Sequence, residues 1–107
     1  MNERICLFAG TTEGRRLAGI LKNVVDLTVC VATEYGEITL GNTEGFTVHT
    51  GRMDEAEMTA FFAENRFASV IDATHPYAQI VTQNIAAAAK KESIPVMRIL
   101  READAPV

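Results

Sequence analysis

The stretch Asp72-Ala73-Thr74-His75-Pro76-Tyr77 places a carboxylate, a hydroxyl, an imidazole and a phenol close together in the chain. Side chains of these types can hydrogen-bond a polar ligand and fix its orientation. A purely structural interpretation is also open, in which Asp72 caps a turn and Tyr77 packs its ring while its hydroxyl reaches outward. A single histidine in a loop is more often without a function, but this stretch follows a predicted strand at a ligand-binding position, which favours a role for His75.

A second stretch, Gly10-Thr11-Thr12-Glu13-Gly14-Arg15, follows an unbroken apolar run. Gly10 can adopt a backbone conformation closed to other residues, and Thr11 and Thr12 can cap the helix that follows. A strand, a glycine turn and a helix in this order open many nucleotide-binding βαβ units. The spacing Gly10-x-x-x-Gly14 differs from the common GxGxxG pattern, so phosphate binding and simple close packing of the helix both remain open.

Polar residues also follow the second and third apolar segments, and they would face the same rim. Thr33-Glu34-Tyr35-Gly36 follows the second segment, and no acidic residue stands at its tip to bind a ribose diol. This favours a phosphorylated ribose, although no arginine is obviously placed to bind its phosphate. Gly51-Arg52 follows the third segment, where Arg52 could bind a carboxylate or phosphate through two hydrogen bonds or could simply be solvated. His49, inside the third segment, is more readily explained as an edge residue than as a ligand.

Apolar segments alternate with segments of helical periodicity, and these elements must position the polar residues. The predicted strands are Arg4–Ala9, Leu27–Ala32, Phe46–Thr50, Ala68–Ala73 and Pro95–Leu100. The predicted helices are Glu13–Lys22, Glu55–Asn65 and Ala78–Glu92, and residues 33–45 are predicted as a loop with room for a short helical turn.

This alternation predicts a Rossmann-like α/β fold, in which a doubly wound, parallel sheet of about five strands carries helices on both faces. Right-handed crossovers make 3-2-1-4-5 the most economical strand order. A crevice then opens between the loops after the first and fourth strands, Gly10–Arg15 and Thr74–Tyr77. Pro76 would occupy the first position of the last helix, where its missing N–H does no harm.

The composition narrows the classes of partner. A formal net charge of -4 argues against nucleic acid, because phosphate binding needs a basic face. The chain has no apolar run long enough to cross a bilayer and no segment shaped like a signal peptide, so we expect a cytoplasmic protein. Cys6 and Cys30 lie in predicted strands without metal-binding spacing. We interpret them as buried structural thiols and expect no metal site.

Five motifs, spread over almost the whole chain, point to a known family when they are taken together. The motifs are Ala9-Gly10-Thr11-Thr12-Glu13-Gly14-Arg15, Val31-Ala32-Thr33-Glu34-Tyr35-Gly36, Gly51-Arg52-Met53-Asp54, Ile71-Asp72-Ala73-Thr74-His75-Pro76-Tyr77-Ala78 and Ile94-Pro95-Val96-Met97-Arg98. In this order they resemble the precorrin-6A (cobalt-precorrin-6A) reductase family. The resemblance implies NADPH-dependent reduction of a double bond in a corrin precursor during cobalamin biosynthesis. It also implies a second α/β domain after this one, which the sequence does not include.

The resemblance further implies a cleft for the cofactor NADPH and for the corrin precursor, with no residue needed as a nucleophile. Arg52 and Arg98 would bind carboxylates of the substrate, and Ala9 stands where the family commonly has glycine. The implied cofactor-binding residues are Gly10, Thr11, Thr12, Glu13, Gly14, Arg15, Thr33 and Glu34. The implied cleft residues, for substrate or cofactor, are Tyr35, Gly36, Gly51, Arg52, Thr74, His75, Pro76, Tyr77 and Arg98.

Two other functions are compatible with the residues. One is a non-catalytic module that binds a nucleotide or a tetrapyrrole acid, and the other is a doubly wound domain used only for protein association. Binding of NADPH would separate the reductase and the non-catalytic module, which both bind the cofactor, from the association domain, which does not.

Overall fold

The structure, a computed structural model, describes residues 3–41 and 43–99. The strands are β1 (Arg4–Ala9), β2 (Asp26–Val31), β3 (Thr47–Thr50), β4 (Ser69–Ala73) and β5 (Val96–Arg98). The helices are α1 (Thr12–Leu21), α2 (Glu34–Leu40), α3 (Glu55–Asn65) and α4 (Gln79–Lys91).

The described strands form one 5-stranded sheet in the order β3-β2-β1-β4-β5. Each neighbouring pair is parallel, with Leu7 of β1 opposite Val29 of β2 on one side and opposite Ile71 of β4 on the other. The predicted fold class and strand order are therefore confirmed. With β1 and β4 adjacent at the centre, the loops that follow them meet at one edge of the sheet.

Strand β1 is covered on both faces, which explains its unbroken apolar sequence. Leu7 and Ala9 pack in the layer that contains Ala18 of α1, whereas Phe8 packs in the layer of α3 and α4. In that second layer the ring of Phe62 stands edge-on to the ring of Phe8, with centroids 6.1 Å apart and an interplanar angle of 80°. The helices thus lie on both faces of the sheet, as the alternation predicts.

The two cysteines are buried and free, in line with their interpretation as structural thiols. Their Sγ atoms lie 3.6 Å apart, within range of a weak hydrogen bond between β1 and β2. Burial, together with this hydrogen bond to Cys30, raises the pKa of the Cys6 thiol well above its ordinary value. At neutral pH Cys6 is therefore a small apolar side chain of the core.

Three local predictions need correction. Residues 33–45, predicted as a loop, contain the helix α2, which the Thr33 hydroxyl caps by accepting from the Gly36 amide at 3.1 Å. Helix α4 begins at Gln79, so Pro76 does not start it. Instead Pro76 lies in a turn that the Ala78 amide closes on the His75 carbonyl at 2.9 Å. Strand β5 is shorter than predicted, and Leu100 lies outside the described residues.

Candidate functional site

The turn after β1 is held by the side chain of Thr11, which is 7% exposed. Its hydroxyl donates to the carbonyl of Ala73, at the end of β4, at 2.8 Å. The same oxygen accepts from the Gly14 amide at 3.1 Å and so caps α1, as predicted. One side chain therefore ties together the two loops of the predicted crevice, and its own polar group is directed into the protein.

The two glycines of this turn differ in what they allow. A Cβ at Gly14 would stand 3.1 Å from the Cα of Ala9 and 3.2 Å from the Cβ of Ala73, so Gly14 permits close packing of α1 on the sheet. Gly10 does not use the conformational freedom of glycine, because the described glycines with positive φ are Gly41, Gly45 and Gly51. A Cβ at Gly10 would instead stand 3.7 Å from the Cα of Thr74, over the crevice.

The turn after β4 is built on the carboxylate of Asp72, which is 1% exposed. Its Oδ1 accepts from the Thr74 amide at 3.0 Å and from the Thr74 hydroxyl at 2.7 Å. The structural interpretation of Asp72 as the cap of this turn is therefore confirmed.

Arg98, at the end of β5, completes this network. Its Nη1 donates to the Thr74 carbonyl at 2.8 Å and lies 3.2 Å from Oδ1 of Asp72. Pairing with a cation offsets the desolvation of the buried carboxylate. In the structure Nη1 of the guanidinium is thus bound by oxygens of Asp72 and Thr74.

Beyond Thr74 the side chains leave the protein interior. The Tyr77 amide donates to Nδ1 of His75 at 3.2 Å. The two rings are tilted by 36° with centroids 5.0 Å apart, and Tyr77 is 86% exposed. The two rings therefore lie at the surface while hydrogen bonds hold the backbone beneath them.

A cleft of about 710 Å³ opens beside this turn at the carboxyl ends of β1, β2, β3 and β4. Its floor is apolar and belongs to the layer of α3 and α4. Of the predicted site residues it brings together Gly10, Gly51, Arg52, Thr74, His75 and Tyr77. Its other lining residues are Phe8, Ala9, Cys30, Val31, Ala32, Met53, Met58, Ala78, Gln79, Ile80, Val81 and Asn84.

The lining residues contain one arginine and one histidine, and they contain no carboxylate. The preceding residue, Gly51, positions Arg52, because the Gly51 amide donates to the Val31 carbonyl at 2.9 Å. Gly51 has φ +128, a conformation that L side chains rarely adopt. Arg52 therefore stands beside the end of β2 and is exposed.

The remaining predicted residues lie around the cleft and do not line it. Arg15 donates to the Thr12 hydroxyl at 3.1 Å on the exposed side of α1, and Tyr35 on α2 is 75% exposed. A Cβ at Gly36 would stand 3.1 Å from the Cβ of Val31, so this glycine serves packing. The predicted site residues outside the lining are Thr11, Thr12, Glu13, Gly14, Arg15, Thr33, Glu34, Tyr35, Gly36, Pro76 and Arg98.

The wall of the cleft formed by the first turns of α4 was not predicted from the sequence: it comprises the apolar Ile80 and Val81 and the polar Asn84. A signal for them existed, because a helix that follows a central strand of a parallel sheet begins at the same edge as the crevice. Ile80 is 74% exposed, which is a large fraction for an isoleucine next to a cleft.

An open, doubly wound sheet with a cleft at the carboxyl ends of its central strands is typical of α/β proteins that bind a ligand where the strand order reverses. Residues 4–106 match the family model described as "Precorrin-6x reductase CbiJ/CobK", and the chain belongs to this family.

Two curated relatives carry the name cobalt-precorrin-6A reductase. The protein of Priestia megaterium is 35% identical over 102 residues, which cover 94% of this chain and 40% of that protein. The protein of Salmonella typhimurium is 36% identical over 103 residues, which cover 94% of this chain and 39% of that protein. Among solved structures, CobK precorrin-6A reductase superposes with a TM-score of 0.82 at 25% identity, over 98% of this chain and 40% of that one.

The chain thus spans about 40% of the length of the curated relatives it matches. Within residues 3–41 and 43–99, no helix is both long and apolar enough to span a membrane.

Proposed function

We propose that this chain binds NADPH and one side of the corrin precursor, as part of a reductase of precorrin-6A or of its cobalt-containing counterpart. The observation that carries the proposal is the cleft that joins the turns after β1 and β4, in a chain that belongs to the precorrin-6x reductase family. Longer relatives are named cobalt-precorrin-6A reductases, and we propose that a second α/β domain forms the outer wall of their cleft.

The residues on both sides of the crevice suit a dinucleotide. Helix α1 begins at Thr12, and the free N–H groups of a helix start attract phosphate. The missing Cβ at Gly10 leaves space for a ligand to approach the backbone beside Thr74. Thr11 keeps its hydroxyl on Ala73, so we propose that it shapes the turn and that the backbone of α1 contacts the phosphates.

Arg52 gives a reason for NADPH to be preferred over NADH. In doubly wound folds the ribose lies beyond the end of the second strand, and an arginine nearby accommodates the 2′-phosphate. Arg52 stands beside that strand end, and the cleft lining has no carboxylate to repel the phosphate. We therefore assign the 2′-phosphate to Arg52. Arg98 is engaged by Asp72, so we propose that it supports the site and leaves the substrate carboxylates to other residues.

When bound, NADPH would supply the hydride for the double bond, and the residues of the cleft would bind and orient the reactants. The apolar floor formed by Phe8, Cys30 and Met58 excludes water from that end of the cleft. The other predicted cofactor residues, Glu13, Arg15, Thr33 and Glu34, stand around the rim and would contact the outer parts of the dinucleotide.

Titration of nicotinamide fluorescence tests the proposal. We expect NADPH to bind more tightly than NADH, and we expect Arg52→Met to weaken NADPH about 10- to 100-fold while leaving NADH nearly unchanged. Arg16→Met is the matched control. It removes an exposed arginine that lies on α1, and it is expected to change neither affinity. Absence of NADPH binding at about millimolar cofactor would contradict the proposal, as would an equal loss for both nucleotides in the Arg52 variant.

A non-catalytic module that binds a nucleotide or a tetrapyrrole acid is the second candidate, and the same cleft would serve it. Incubation with NADPH and the corrin precursor separates the two. Oxidation of NADPH identifies a reductase, whereas binding of both compounds without oxidation identifies a module.

A further inference from the structure

The hydrogen bond within the His75–Tyr77 turn determines where the imidazole carries its proton. The donor is the backbone amide of Tyr77 and the acceptor is Nδ1 of His75, 3.2 Å away. A backbone N–H can only donate, so Nδ1 must hold a free electron pair. A neutral imidazole has one protonated nitrogen, and in this turn the proton is therefore on Nε2.

We propose that His75 is a hydrogen-bond donor of the cleft, which offers Nε2–H to an anionic oxygen of the ligand in a tautomer set by the Tyr77 amide. This role rests on the proposed function, and it states what His75 contributes to ligand binding in the cleft. It excludes His75 as a general base in its neutral form, because Nε2 is already protonated and Nδ1 is occupied.

The turn is held in place before any ligand arrives. The Ala78 amide donates to the His75 carbonyl at 2.9 Å, and the ring of Tyr77 lies against the imidazole. On the other side, Thr74 is held through its amide by Asp72 and through its carbonyl by Arg98. A donor whose backbone is fixed loses little conformational entropy on binding, which is how preorganised sites gain affinity.

The surroundings of His75 specify the charge of the acceptor. Arg52 is the charged side chain that shares the cleft lining with His75, and the lining has no carboxylate. The glycine opposite, Gly10, would place a Cβ 3.9 Å from the His75 amide nitrogen, so a ligand can approach there. The shared chemistry is an anionic oxygen, which either a phosphate of NADPH or a carboxylate of the macrocycle supplies.

The tautomer is measured directly by two-bond ¹⁵N–¹H correlation spectra of the imidazole rings, at about pH 8.5, where an ordinary imidazole is neutral. We expect the Nδ1 of His75 to resonate as the unprotonated nitrogen and Nε2 as the protonated one. His49, the other histidine of the chain, packs on the ring of Phe61 at 4.8 Å and provides the internal comparison. A proton on Nδ1, or a mixture like that of free imidazole, overturns the proposal.

Two substitutions test the donor role itself. In His75→Gln the side-chain amide reaches the position of Nε2 and can still donate, whereas in His75→Asn it reaches only the position of Nδ1. Each variant is titrated with NADPH and with uroporphyrin, a porphyrin that carries many carboxylates. We expect His75→Gln to stay within about threefold of the unmodified chain and His75→Asn to lose about tenfold for one probe, which identifies the source of the anionic oxygen.

Equal affinities of both variants for both probes overturn the proposal, and so does a loss confined to His75→Gln. If the unmodified chain binds neither probe, the proposed function and this role of His75 fail together. If the unmodified chain binds but the proton is found on Nδ1, the role of His75 fails alone.

Discussion

The turns after β1 and β4 face each other across the crevice, but they use their polar residues in different ways. After β1, the Thr11 hydroxyl donates to the Ala73 carbonyl and accepts from the Gly14 amide, and α1 begins at the next residue. After β4, the buried Asp72 holds the backbone, and the exposed His75 and Tyr77 follow before α4 begins. The first turn thus leaves mainly backbone available to a ligand, and the second leaves exposed side chains.

A polar side chain near the crevice does not necessarily bind a ligand, because groups of the protein itself can occupy its hydrogen bonds. Thr11 and Arg98 both lie at the ends of central or neighbouring strands, yet internal oxygens engage both of them. Such residues make the turns rigid, and their substitution is expected to change stability first. The exposed residues His75 and Arg52 are expected to change binding first.

The largest effect is expected for the buried carboxylate of the β4 turn. Asp72→Ala removes the acceptor of the Thr74 amide and hydroxyl and the carboxylate that pairs with Arg98, so we expect a loss of about 3–5 kcal/mol in the free energy of unfolding. Urea denaturation measures it. Lys91→Met is the control, because the Lys91–Glu55 pair has side chains 58% and 42% exposed and is expected to contribute about 1 kcal/mol or less. Similar losses of unfolding free energy in the two variants would show that the buried Asp72 contributes no more to stability than the exposed Lys91 does.

An intermediate effect is expected for the packing glycine of the β1 turn. Gly14→Ala forces a methyl group to 3.1 Å from the Cα of Ala9, and we expect a destabilisation of about 1–3 kcal/mol. Gly19→Ala, on the same helix, meets no atom within 4 Å and is expected to stabilise the protein by about 0.5–1 kcal/mol through helix propensity. Thermal unfolding of both variants checks the pair, and two changes of the same sign would refute the packing role of Gly14.

One substitution in the turn after β1 is expected to change ligand binding without changing stability. Gly10→Ala places a methyl group 3.7 Å from the Cα of Thr74 without a backbone penalty, so the free energy of unfolding is expected to change by less than about 0.5 kcal/mol. The same methyl group stands where we propose that the ligand approaches, so NADPH is expected to bind about tenfold more weakly. Unchanged NADPH affinity would remove Gly10 from the site.

Unequal effects on stability are expected at the two threonines of the turn after β1. Thr11→Val removes the cap of α1 and the hydrogen bond to Ala73, which is expected to cost about 1–2 kcal/mol of unfolding free energy. Thr12→Val removes only an exposed acceptor of Arg15 and is expected to stay within about 0.5 kcal/mol. Denaturation midpoints that fall equally would show that Thr11 has no special part in joining the turns.

The fold was predictable because its elements have strong local patterns. The apolar run of β1 predicts a strand covered on both faces, and Asp54 predicts the start of α3, where a capping box with Glu57 is found. Helix α2 was predicted only as a short helical turn within a loop, because its sequence has no stripe of core-facing residues: no residue of α2 is buried, and Tyr35 and Ile38 are 75% and 74% exposed. The interpretation of Pro76 was wrong because the His75–Ala78 turn delays the start of α4.

The candidate site was predictable in its location and less so in its details. Strand order alone brings the loops after β1 and β4 together. Which polar groups remain available there depends on partners far away in the chain. Thr11 bonds a carbonyl 62 positions on, and Arg98 bonds a carboxylate 26 positions back. Local spacing carries no information on contacts of that range.

We propose that both turns bind one ligand, the first through its backbone and the second through its side chains. Amide chemical shifts of the ¹⁵N-labelled chain, followed during titration with NADPH, test this most directly. We expect the largest changes at Gly10–Gly14 and at His75–Ala78 together, with little change at Ile38 on α2, which lies outside the cleft lining. Changes confined to one of the two turns, or centred on α2, would contradict the account.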